Sequence, residues 1–219
     1  MSLPLPRPGR TIVYLIRHGA TANNRARPPR LQGRGVDLPL SPAGRWQADQ
    51  TAQLLADISL AAVYASPLKR SRETAEVIAA PHHLEVGIEP DLAEVDVGQW
   101  EGRSWVEIEQ TEPEAYLRFT TEPDRYGYVG GENLTQVRDR ALPALTRLAE
   151  KHRGEAIAVV GHNVVNRTFL ASVLDIPLRR ARSLSQENAG INILRYEQDW
   201  KLITLNSLFH LLHEPAEIR

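Results

Sequence analysis

Three short apolar runs, at residues 11–16 (TIVYLI), 61–65 (AAVYA) and 156–160 (AIAVV), each stop abruptly at residues that can do chemistry. Runs of this length, rich in β-branched and aromatic side chains, suit strands buried on both faces better than they suit helices. Helical patterns lie between them. One spans 42–57, opened by Ser41 with proline in its first turn, and one spans 67–80, opened by Ser66. A third runs over 134–152, and a fourth follows His162 through Leu174. Strands alternating with helices imply an α/β fold, a mostly parallel central sheet with helices on both faces. Two late runs, 191–196 and 201–205, read as a closing hairpin turned at 197–199. Residues 104–130 are polar, aromatic and punctuated by proline, so they read as a small helical insertion, a lid or specificity segment. The whole of 1–219 is then one domain.

Composition removes several alternatives. Hydrophobic residues at 42% and charged residues at 24% are ordinary for a globular chain and exclude a disordered or fibrous one. Without cysteine there is no disulfide, thiolate metal site or cysteine nucleophile. No apolar stretch is long enough to span a bilayer, and three prolines interrupt residues 1–10 where a signal peptide needs an apolar run. A soluble, cytoplasmic protein is expected. The net charge of −1 argues against nucleic acid as a partner, and no membrane partner is expected. The charge is unevenly spread, however. Between Arg10 and Arg45 the only acid is Asp37, whereas Arg10, Arg17, Arg25, Arg27, Arg30, Arg34 and Arg45 are basic, a segment suited to an anion.

In open α/β sheets ligands bind beyond the carboxyl ends of the strands. The first run is followed by Arg17-His18-Gly19, the second by Ser66-Pro67-Leu68-Lys69-Arg70 and the third by Gly161-His162. Two histidines and two arginines therefore converge on one rim. Guanidinium groups bind phosphate oxygens bidentately and stay charged through turnover, and a neutral imidazole can attack phosphorus to form a phosphohistidine. Arg17, Arg70 and His162 would meet the charge on the transferring group. Glu94, in a glycine-flanked segment reaching Gly102, is the candidate proton donor to the leaving oxygen. This chemistry needs no metal and no cofactor.

These residues carry a family resemblance. Leu15-Ile16-Arg17-His18-Gly19-Ala20-Thr21 with Asn24, then Gln32-Gly33, Asp37 through Ser41, Ser66 through Arg70 with Thr74-Ala75, Glu94 through Gly102, Gly131-Glu132 and Gly161-His162 together resemble the histidine phosphatase superfamily, the fold of cofactor-dependent phosphoglycerate mutases and related phosphatases. The resemblance implies that His18 is the phosphorylated nucleophile, that Arg17, Arg70 and His162 bind the phosphoryl group, and that Glu94 is general acid and base. It also places Asn24 and Gly33 in the phosphate pocket. Asn163 departs from the glycine that phosphatases of this family usually carry after the second histidine, and it joins the candidate binding residues. The segment between Glu94 and Gly131 is shorter than in the mutases and lacks their paired arginines, since Arg103, Arg118 and Arg125 are isolated. Gly98-Gln99-Trp100-Glu101-Gly102 looks like the branch that includes broad-specificity and α-ribazole phosphatases. The expected activity is hydrolysis of small phosphorylated metabolites. A phosphoglycerate mutase and a non-catalytic phospho-ligand module are the alternatives, the last favoured only if a key residue were missing.

The remaining candidates have plainer roles. Asp96 and Glu101 compete with Glu94 for the acid's place, and Trp100 and Trp105 are candidates for substrate contact. His82, His83, His152, His210 and His213 read as solvated loop residues without metal-site spacing. Arg25, Arg27 and Arg30 form a candidate rim for a second anionic group of the substrate. A homodimer is compatible with the chain.

Overall fold

The structure is a computed structural model that describes residues 6–213; residues 1–5 of the proline-broken leading segment lie outside the described residues. Its strands are β1 (Thr11–Arg17), β2 (Leu60–Ala65), β3 (Val86–Ile88), β4 (Ala156–Gly161), β5 (Ile191–Tyr196) and β6 (Trp200–Ser207). They form one sheet in the order β3-β2-β4-β1-β5-β6. The pairs β3/β2, β2/β4 and β4/β1 are parallel, and the closing hairpin β5/β6 adds to β1 antiparallel. The helices are α1 (Ala22–Arg25), α2 (Pro42–Leu55), α3 (Lys69–Ala79), α4 (Trp105–Thr111), α5 (Pro113–Thr121), α6 (Leu134–Lys151) and α7 (Asn163–Val173).

The central strands are apolar throughout because each face covers a different core. From β1, Ile12, Tyr14 and Ile16 pack with α2 and α3, while Val13 and Leu15 pack with α6 and α7 on the other side. Every residue of β4 is buried. β2 departs from the expectation: Ala61 is exposed and Ala62 and Tyr64 are half-buried, since only the short β3 lies beyond it.

α3 also begins later than its Ser-Pro start suggests, at Lys69 instead of residue 67. Ser66 is not its cap. The Lys69 N–H is instead met from across the chain by Asp37 Oδ1 at 2.7 Å. Residues 104–130 do form helices, α4 with a Ser104–Glu107 capping box and α5 with proline at its start. They share the α6/α7 core through Ile108, Phe119 and Tyr128, which pack with Trp100. No helix among the described residues is long and apolar enough to cross a membrane.

Of the histidines expected on solvated loops, His83 and His213 are exposed, whereas two others are engaged. His152 bonds Tyr64 and Glu155, and His210 is half-buried beside Thr51.

Candidate active site

Because β2, β4 and β1 are neighbours and parallel, their carboxyl ends deliver Ser66, His162 and His18 side by side. The ladder extends one step past the strands, with His18 N–H donating to Gly161 O at 3.1 Å and Ser66 N–H to Val160 O at 3.2 Å. The imidazole centroids of His18 and His162 are 5.1 Å apart. Gly19 must be glycine here. A Cβ on it would lie 2.4 Å from Gly44 O, where α2 crosses the turn after β1.

His18 is 3% exposed and its tautomer is set by its neighbours. Nδ1 lies 2.7 Å from Gly19 O, which only an N–H can satisfy, so Nε2 carries the lone pair. Arg70 Nε donates to that Nε2 at 3.3 Å. Burial, then the Arg70 and Arg17 charges, hold the His18 pKa well below its ordinary value, so the ring is neutral. His162 is lowered for the same reasons, burial first. Ser66 Oγ lies 2.5 Å from His162 Nε2 and accepts the Leu68 N–H at 3.2 Å. The tautomer in which Ser66 donates to Nε2 carries the His162 proton on Nδ1, a buried atom without a partner among the described residues.

Arg70 is fully buried and donates to Gly33 O and Val36 O at 2.9 and 3.1 Å, which fix its plane. Arg17 donates to Gln186 O at 2.6 Å, and its Nε is buried without a partner among the described residues. Burial pulls the Arg17 pKa down to about 10 against the opposing pull of Glu94 and Glu187, so it stays cationic at neutral pH.

Glu94 is 4% exposed and is held by backbone N–H groups. Val95 donates to Oε1 at 2.9 Å, and Val164, in the first turn of α7, donates to Oε2 at 3.2 Å. Its rivals are engaged elsewhere. Glu101 accepts the Gly33 and Gly35 N–H groups, and Asp96 pairs with Arg34 at 2.8 Å. Glu132 explains the Gly131-Glu132 motif: it accepts the Asp96 N–H and clamps Arg140, whose guanidinium binds Asp91 O and Ala93 O beside Glu94.

Part of this group borders a cavity of about 590 Å³, whereas Arg70, His162 and Ser66 are fully buried and do not line it. Arg17, His18, Asn24, Glu94 and Asn163 line it. Gly33 stands one layer back: its N–H is taken by Glu101 and its carbonyl orients Arg70. Of the proposed arginine rim only Arg30 reaches the cavity, and Arg25 and Arg27 border a separate cleft with Glu187 and Asn188. Arg10 and Arg34 pair with Glu197 and Asp96, acids distant in sequence, and Arg45 pairs with Asp49 one turn on in α2, so part of the early basic cluster is neutralised. Trp100 is wholly buried and serves packing, whereas Trp105 lines the cavity with Tyr116 and Tyr128. The sequence reading missed Arg167 and Arg182, which complete the wall. A signal existed for the first, because Arg167 lies four residues after Asn163 and therefore on the same face of α7. Among the described residues no three His, Asp or Glu side chains are grouped to hold a metal ion.

Residues 13–207 match the family described as the histidine phosphatase superfamily (branch 1). The chain is 36% identical to phosphoglycerate mutase-like protein 4 of Arabidopsis thaliana, over 91% of this chain and 86% of that one. It is 35% identical to a metal-independent phosphoserine phosphatase of the same plant, over 92% and 83%. Among solved structures, the phosphoserine phosphatase of Entamoeba histolytica in complex with 3-phosphoglyceric acid superposes with a TM-score of 0.83 at 27% identity, covering 92% of this chain and all of that one (100%).

Proposed function

The chain belongs to the histidine phosphatase superfamily, and from that premise we propose that it hydrolyses phosphomonoesters of small metabolites through a phosphohistidine at His18, without a metal ion. One observation carries the reading: a neutral imidazole, its Nδ1 pinned to Gly19 O, presents a lone pair on Nε2 to a buried guanidinium. Arg70 exchanges that lone pair for a phosphoryl oxygen when substrate binds. Arg17 Nε and His162 Nδ1, buried donors without partners among the described residues, take the others. His18 Nε2 attacks phosphorus, the P–O bond to the leaving group breaks, and Glu94 gives that oxygen its proton. Glu94 then removes a proton from water, the hydroxide attacks phosphorus and the P–N bond breaks, which restores His18 and releases phosphate. Independence of metal is supported by the guanidinium groups, which can carry the transferring charge, and by the name of the Arabidopsis phosphatase.

The phosphoglycerate mutase-like relative supports a second reading, in which another substrate hydroxyl replaces water as the acceptor. Phosphate release from p-nitrophenyl phosphate and a panel of phosphorylated metabolites, with and without EDTA, beside a coupled mutase assay on 3-phosphoglycerate, separates the two. Chelator-resistant hydrolysis without mutase turnover is expected. Mutase turnover dependent on a bisphosphate primer would move the chain to the isomerases, and silence in both assays would favour a phospho-ligand module.

A further inference from the structure

Besides Arg17 and Arg30, the cavity wall carries two further arginines, and the charge of Arg167 reaches Arg17. Arg167 projects from α7, and Arg182 comes from the short 3-10 helix Leu178–Ser183. The Arg182 guanidinium lies over the Trp105 and Phe119 rings, 4.8 and 5.1 Å from their centroids. Arg167 sits beside the Tyr128 hydroxyl, and its Nε is buried without a hydrogen-bond partner among the described residues. Packing against the rings desolvates Arg182, and the charge of Arg167 adds to this, so its pKa falls below the ordinary value. Two like charges held together without a paired carboxylate among the described residues have an unmet demand for an anion. Arg30 differs, because Glu107 at 3.9 Å and Gly102 O at 2.8 Å already engage it.

Resting on the phosphatase reading above, we propose that Arg167 and Arg182 determine specificity by binding a carboxylate carried by the substrate beyond its phosphoryl group. A carboxylate is preferred to a second phosphate because it is flat and singly charged. It can lie between the aromatic walls and take in-plane N–H donors from both guanidiniums, whereas the denser donor set suited to a dianion is already at His18. The substrate class is thus a phosphorylated hydroxy or amino acid.

The test compares kcat/KM for 3-phosphoglycerate and glycerol 3-phosphate, which differ only in a carboxylate against a hydroxymethyl group. The ratio is taken within each variant, so a general loss of activity cancels. Wild type is expected to favour the acid by about tenfold or more, the scale of one charge-assisted hydrogen bond. Arg167→Met and Arg182→Met should each bring the ratio to within about threefold of unity, and Arg167→Lys should keep part of it. If Arg167→Met fails to fold, Arg182→Met, at the more exposed of the two positions, still decides. Equal wild-type rates on the two esters, or a ratio unmoved in the variants, would overturn the proposal and leave the phosphatase reading intact. A stronger preference for a diol bisphosphate would assign the pair to a second phosphate and overturn the carboxylate. Hydrolysis of none of these esters or of p-nitrophenyl phosphate would remove the phosphatase reading and this proposal with it.

Discussion

The two ends of the cavity are built in different ways. At the His18 end, His18, His162 and Ser66 directly follow strands, and Arg70 is fully buried and fixed by backbone carbonyls. At the other end, Trp105 and Tyr116 come from α4 and α5, Arg167 from α7 and Arg182 from a 3-10 turn, several of them partly exposed. The difference teaches where each property resides. Chemistry sits where the sheet dictates position, and substrate choice sits where separate segments meet. Substitutions at the first end should therefore lower all alkyl phosphates together, and substitutions at the second should reorder them.

The largest expected effect is from His18→Ala, which should lose at least about 10⁴-fold in kcat on every ester, the scale of removing a covalent nucleophile. Glu94→Gln comes next, at about 10²–10³-fold on alkyl phosphates and much less on p-nitrophenyl phosphate, whose leaving group needs no proton. An equal loss on both would break the acid assignment. Tyr116→Ala at the far end should change KM several-fold and reorder the metabolite panel; a uniform fall across it would erase the proposed division. Ser66→Ala should cost less than about tenfold, the worth of one hydrogen bond near 1 kcal/mol, with Ser66→Thr restoring activity.

The pH dependence follows from the two buried imidazoles. Both are depressed, so in the folded state they stay neutral where the unfolded chain protonates near pH 6.5. The stability they contribute is present above that pH and is lost as pH falls, by up to about 1.4 kcal/mol per pH unit for each histidine. Thermal melting should decline from pH 7 to 5, less steeply in His162→Gln. Over the same range kcat/KM, after allowance for the substrate's own ionisation near 6, should show no loss at 6.5 from His18. A limb at 6.5 traced to His18 would contradict its burial.

The legibility of the sequence follows the same division. The α/β alternation, the closing hairpin and the histidines at strand ends could be read because apolar runs end beside them. Ser66 was misread as a cap because Ser-Pro is a common helix start. Its hydroxyl is instead taken by His162 and the Leu68 N–H, and Asp37 meets the α3 start from a distant segment. Gly33 was placed on the cavity wall because its motif does not reveal that Glu101 holds its N–H. Arg182 left no trace in the sequence, since its place depends on a 3-10 turn packing against the inserted helices.

The central claim, covalent catalysis at His18, is tested most directly by rapid quenching of wild type and Glu94→Gln during turnover of an aryl phosphate, followed by peptide mapping under alkaline conditions that preserve phosphohistidine. The account predicts an acid-labile phosphoryl group on the His18 peptide, accumulating further in Glu94→Gln, where the second step is slowed. Turnover in both proteins with no phosphoryl group on that peptide, or with one on His162, would contradict it.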